Sequence, residues 1–189
     1  MSIIASPALD LTTLTGDYSL DAAHSRVGFQ ARHAMVTKVR GAFNDVTGTI
    51  HLDGADPSRS NAQITVQAAS VDTRNADRDA HLVGSDFLAI DQYPTITFAS
   101  TVAEPIDSEN YLLTGDLSIR GITRPVVIPF AFTGTAVDPW GNTRVGFEGS
   151  VVINRKDWGI TFNAALDAGG VLLGEKVTLE FDLSLVKVA

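Results

Sequence analysis

There is no cysteine anywhere in the 189 residues, which excludes disulfides, a thiolate nucleophile and any cysteine-ligated metal site, and leaves the redox compartment open. Basic residues are scarce. Fourteen Lys and Arg stand against 22 Asp and Glu for a formal charge of −8, and the sequence holds no basic cluster larger than a short pair. Nucleic acid and anionic membrane surfaces are therefore not expected as main partners, and a small or neutral partner is favoured. No apolar stretch approaches the roughly 18 residues that span a bilayer. Residues 1–16 carry neither a basic leader nor a continuous apolar core of signal-peptide length, so the sequence predicts a cytoplasmic protein with no integral membrane segment. The four histidines have no short metal-ligand spacing, and His81 has no His or Glu four residues on, so neither a metal nor a cofactor is expected. No Gly-rich phosphate loop, nucleophile elbow or paired acid and base stands out either.

What the chain does have is long stretches of alternating apolar and polar residues. In Val177 to Leu185 the odd positions are Val177, Leu179, Phe181, Leu183 and Leu185, and the even ones are Thr178, Glu180, Asp182 and Ser184. That is the pattern of a strand with one buried and one wet face. Tyr111 to Ile119 and Val145 to Ile153 read the same way. Long strands of this kind bury their apolar face only by closing into a barrel or stacking on a second sheet. With no repeat or linker to divide it, the chain is expected to be one all-β domain over 16–189, preceded by a flexible segment over 1–15.

About eight strands emerge. The apolar parity changes between Phe43 and Val46, which predicts a bulge near Asn44 to Val46. One segment departs from period two: Ala76, Ala80, Val83 and Phe87 fall at helical spacing, with Asn75 as a candidate cap and Gly84 as a stop, so a single short helix is predicted near Asn75 to Val83. The connection Gly159 to Gly174 is apolar, lacks a clear period and is punctuated by glycines, as lids and binding loops are.

An eight-stranded barrel is either filled by its own side chains or holds one small ligand. Here bulky inner residues, Phe29, Phe130, Phe132, Phe147, Phe181 and Leu117, alternate with Ala31, Ala131, Gly115 and Gly149, a mixture compatible with an interdigitated core and with a lined cavity alike. His33 closes the Phe29 row, where it could meet a head group or serve structure alone. Arg155 and Asp157, at a strand end, could hold an anionic head group or form a local ion pair. Trp140 and Trp158 flank one strand and are expected at opposite ends of the barrel, with the ligand mouth at the Trp158 end beside Phe162 of the lid.

Four segments, LDAAHSRVGFQARH (20–33), HLVGSDFLAIDQYPTITF (81–98), LLTGDLSIRGITRPV (112–126) and INRKDWGI (153–160), together resemble the YceI-like family of lipocalin-like, polyisoprenoid-binding proteins. The resemblance spans nearly the whole chain. It implies an extended eight-stranded antiparallel barrel enclosing a long amphiphile, and it places Phe29, His33, Phe98, the run 115–119, Phe147 and the run 154–159 at motif positions. Well-known members are exported with a signal peptide, whereas none is expected here, so a periplasmic role is not carried over from the resemblance. The expected function is non-enzymatic binding, sequestration or carriage of an isoprenoid-type lipid, such as a prenyl quinone or prenyl diphosphate, by a protein that the resemblance suggests is a homodimer. The alternatives are an enzyme acting on a lipophilic substrate with His33 or Asp157 as acid or base, and a stress-related scaffold with an empty barrel.

Overall fold

The computed structural model describes residues 10–189. Eleven strands alternate down the chain: β1 (Gly16–Leu20), β2 (Arg26–His33), β3 (Thr37–Phe43), β4 (Val46–Leu52), β5 (Asn61–Gln67), β6 (Val71–Asp72), β7 (Thr95–Pro105), β8 (Asn110–Ile119), β9 (Ile122–Val137), β10 (Thr143–Asn154) and β11 (Leu173–Lys187). Three of the apparent breaks are kinks. β1 and β2 both pair antiparallel with β11, at Leu20↔Leu185 and Val27↔Phe181, so they follow one another along a single edge. β3 and β4 do the same against them, through Val27↔Phe43 and Ser19↔Thr49, and β5 and β6 against those, through Val46↔Val66 and Phe43↔Val71. Counted this way the sheet is an eight-stranded antiparallel meander, closed by β11 on β1. A closed barrel leaves no unpaired edge.

The parity change at Asn44 and Asp45 is where β3 hands over to β4: Phe43 and Val46 face inward on either side of it. Three further irregularities appear, one between Ser100 and Val102 in β7, one between Gly146 and Phe147 opposite β9, and one between Leu173 and Val177 of β11 opposite β2. Such bulges tighten the coil of long strands and help the sheet close.

The single α-helix among the described residues, α1 (Ala76–Leu82), lies where the alternation fails, with Asn75 accepting from the Arg78 N–H at 3.0 Å as the predicted cap. Residues 83–94 carry the chain back to β7, held by Arg120, whose guanidinium donates to the Phe87 carbonyl at 2.6 Å. Helix and connection together cover one end of the barrel.

The opposite end is stoppered by a 3-10 turn, Leu11–Leu14. Leu14 is buried, and the hydroxyl of Tyr18, itself 1 % exposed, donates to the Leu14 carbonyl at 2.7 Å. Gly54 N–H donates to Thr15 at 2.9 Å, and a Cβ at Gly54 would collide with the Leu11 backbone. Of the segment 1–15, expected to be flexible, Leu11 to Leu14 form this turn with Leu14 buried, and residues 1–9 lie outside the described part of the chain. Two apolar clusters result, one around Leu14, Tyr18, Val145 and Leu185 at the stoppered end and one around Phe87, Ile119, Ile153 and Trp158 at the other.

Candidate functional site

Between the two clusters the barrel is hollow. A cavity of about 700 Å³ runs from Leu11, Gly54 and Pro57 at the stoppered end to Arg78, His81 and Leu172 at the other, within the range of ligand pockets. Its wall is the inward parity of the strands: Val27, Phe29, Ala31 and His33 from β2, Leu113 and Leu117 from β8, Phe130 and Phe132 from β9, and the row from Val177 to Leu185 on β11.

Why the centre stays open follows from three pairs of residues. Phe29 lies over Gly41, Phe130 over Gly149 and Phe98 over Gly115, so close that a Cβ at any of the three glycines would strike the ring. In two of them the partners sit directly opposite in the ladder, Phe29↔Gly41 and Phe130↔Gly149. A ring resting on a cross-strand glycine lies along the wall rather than across the lumen. The alternation of large and small inner residues that the sequence left open between filling and lining is thus a lining.

Of the expected site residues, Phe29, Phe98, Leu117, Phe130, Phe132 and Phe147 line the cavity, as do His33, Arg155, Trp158, Phe162 and Phe181. Asp157 does not. Its side chain is exposed outside the barrel, and its contribution is a backbone carbonyl that accepts from Arg124 Nε at 2.6 Å. It points away because Arg155–Trp158 is one 3-10 turn, which sends Arg155 and Trp158 inward and the two residues between them out to solvent.

Arg155 reaches the cavity wall but is not free to hold an anion. It is 4 % exposed, and its guanidinium donates to the carbonyls of Gly174 and Ile160, each at 2.8 Å, and of Leu173 at 3.4 Å. Burial lowers its pKa below the usual arginine value, with the charge of Glu175 opposing that shift. The side chain is a clasp: it gathers both roots of the connection 159–172 onto the barrel. Trp158 anchors the same corner, its indole N–H donating to the Leu117 carbonyl at 2.9 Å.

The connection itself folds over the open end. Asn163 closes it on Leu173 with bonds of 2.7 and 2.9 Å, and Phe162 packs edge-on against His81 of α1 at 5.0 Å and beside Phe87 at 5.3 Å. Besides Arg155, the wall at this end carries the polar groups His33, Asp77, Arg78 and His81. Arg78 was not singled out from the sequence. Its Nε and one terminal nitrogen donate to Thr73 at 2.7 and 2.8 Å, which fixes the guanidinium at the rim with its other terminal nitrogen unspent on protein. The visible signal was a basic residue one turn before His81 on α1.

A hollow, closed, eight-stranded barrel with a helix across one end is a fold shared with known proteins. Residues 18–185 match the YceI-like domain. The chain belongs to the YceI-like family. It is 37% identical over 161 residues to a UPF0312 protein of Ectopseudomonas mendocina, covering 84% of each chain, and 36% identical over 163 residues to one of Pectobacterium atrosepticum, covering 85% of this chain and 83% of that one. Among solved structures, the YceI protein of Campylobacter jejuni superposes with a TM-score of 0.71 at 30% identity over 90% of this chain and 97% of that one. A polyisoprenoid-binding domain of Saccharophagus degradans superposes with a TM-score of 0.69 at 14% identity, over 90% and 98%, a likeness of fold alone. The YceI-like frame thus accounts for the barrel, the helix and the cavity of this chain together.

Proposed function

We propose that this protein binds and carries, without chemical turnover, a long-chain isoprenoid-type amphiphile, with the tail in the barrel and the head group at the end covered by α1 and the 159–172 connection. The observation that carries the reading is the shape and chemistry of the cavity: a long apolar lumen kept open by rings laid flat on glycines. Each methylene moved from water into such a lumen gains roughly 0.8 kcal/mol, so a tail of several isoprene units outweighs the entropy of holding it. The head group meets His33, Arg78 and His81. Arg78 replaces Arg155 in this reading, because a cation whose hydrogen bonds are spent on carbonyls has little to offer a diphosphate or a quinone oxygen. The covered end is the mouth, because the other is locked by Leu14, Tyr18 and the Thr15 to Gly54 bond, whereas the cover lays the Phe162 ring against His81 of α1 and Phe87 beyond it.

Of the two residues expected as acid or base in an enzyme, Asp157 fares worse, since it is outside the lumen, while His33 lines it. Native mass spectrometry of the purified protein, followed by extraction of what it carries, tests the reading. A long-chain amphiphile bound one to one and recovered unaltered supports it; a modified product favours an enzyme, and a barrel that takes up no such lipid when offered it favours a scaffold.

A further inference from the structure

We infer that the end of the barrel bearing Met35, Val36 and Val171 docks on the surface of an anionic lipid bilayer. The tip of the β2–β3 hairpin is the turn His33–Val36, closed by the Val36 N–H on the His33 carbonyl at 3.1 Å. Both of its central residues, Ala34 and Met35, have left-handed backbone, with φ of 51° and 61°. Asn and Gly occupy such positions at least cost, and an L side chain there is disfavoured by about 1–2 kcal/mol per residue. The chain places apolar side chains in that strained turn and leaves them in solvent: Met35 is 63% and Val36 74% exposed. The 159–172 connection joins the same apex, with Ala34 N–H donating to the Leu172 carbonyl at 2.7 Å and Val171 38% exposed beside it. Apolar groups held out at a cost in folding stability point to an apolar partner.

Charge identifies that partner. On the outer face just below the tip stand Arg32, Lys38, Arg40 and Lys176, all exposed and none within ion-pair distance of a carboxylate among the described residues. Arg32 and Lys38 face one another across the ladder, an arrangement of like charges that disfavours the isolated hairpin. The single carboxylate between residues 159 and 174 is Asp167. Asp53, Asp56, Asp107, Glu109 and Asp138 gather at the turns of the other end. The formal charge of −8 therefore hides a dipole, which a linear scan of the sequence for basic clusters does not reveal, and which turns the apolar tip toward a negative surface. Exposed apolar side chains within a basic ring are the signature of an interfacial contact. No helix among the described residues is long and apolar enough to cross a membrane, and the proposed contact is a peripheral one. It sits beside the proposed mouth, and it deepens the carriage reading by naming the source and sink of the lipid.

The experiment is co-sedimentation of lipid-stripped protein with vesicles of pure phosphatidylglycerol or pure phosphatidylcholine at low and high salt. Binding is expected to phosphatidylglycerol at low salt, with loss at high salt and little affinity for phosphatidylcholine. Lys38→Gln with Arg40→Gln should weaken it about 30-fold. Ala34→Asn with Met35→Gly relieves the turn, so it should raise Tm while weakening vesicle binding about tenfold or more. Failure of the wild type to bind phosphatidylglycerol overturns the inference, as does binding unaffected by these variants. So does a self-association, measured by analytical ultracentrifugation without vesicles, that the tip variants abolish while vesicle binding persists unchanged. Lipid retention, scored separately on the same variants, keeps a failure of docking distinct from a failure of carriage.

Discussion

At the scale of single residues, the polar groups of this barrel divide into those that hold the fold and those left for a ligand. Arg155 belongs to the first kind, and its substitution tests the clasp: Arg155→Met should strand carbonyls of Ile160, Leu173 and Gly174, cost about 2–4 kcal/mol in denaturant unfolding, and speed the loss of bound lipid by loosening the cover. A variant of unchanged stability would show that the three bonds are dispensable. Asp138, in the turn before β10, is a second fixed group. Burial opposes its ionisation, but hydrogen bonds from Asn142, Arg144 and the Trp140 N–H hold its pKa down to about 2, against 3.8 for an unperturbed aspartate. A depressed folded-state value stabilises the protein above the unfolded pKa and ceases to do so as pH falls through the folded one. Asp138→Asn should therefore be less stable than wild type at neutral pH, and the gap in Tm should narrow as pH drops from about 4 to about 2. A gap independent of pH would assign the effect to turn geometry alone.

At the scale of elements, period-two alternation carried most of the fold, because a half-buried strand writes its burial directly into residue parity. β8, β10 and β11 were legible for that reason, and α1 was legible as the place where parity failed and Asn75 could cap. Three things were not legible. The Leu11–Leu14 stopper is too short to show a period, and its burial depends on Tyr18 and Gly54 elsewhere in the chain. The inward glycines Gly41, Gly115 and Gly149 were visible as small residues, but which ring covers each depends on strand register. The fate of Arg155 and Asp157 was decided by one 3-10 turn, whose rotation no alternation encodes. These glycines give a sharp test. Gly149→Val should lift the Phe130 ring off the wall into the lumen, reducing lipid content while far-ultraviolet circular dichroism stays that of a β protein; Glu148→Val, one residue away on the exposed face, should leave lipid content unchanged. Equal behaviour of the two would contradict the register.

At the scale of the whole molecule, the barrel has unlike ends. One is stoppered and acidic. The other is covered, basic around its tip and apolar at its apex, and the two tryptophans report on them separately: Trp140 is 82% exposed in the turn at the stoppered end and Trp158 is buried against the lumen. Lipid entry should shift Trp158 emission in a Trp140→Phe variant and leave Trp140 emission nearly unchanged in a Trp158→Phe variant. A response from Trp140 alone would move the mouth to the other end. The central claim, that the hollow barrel exists to hold a long apolar tail, is tested most directly by equilibrium binding of a series of polyprenyl alcohols that differ only in chain length. The account predicts that affinity rises about tenfold or more with each added isoprene unit until the lumen is full, and then levels off. An affinity that ignores tail length, or that a tail-less head group reproduces, would contradict it.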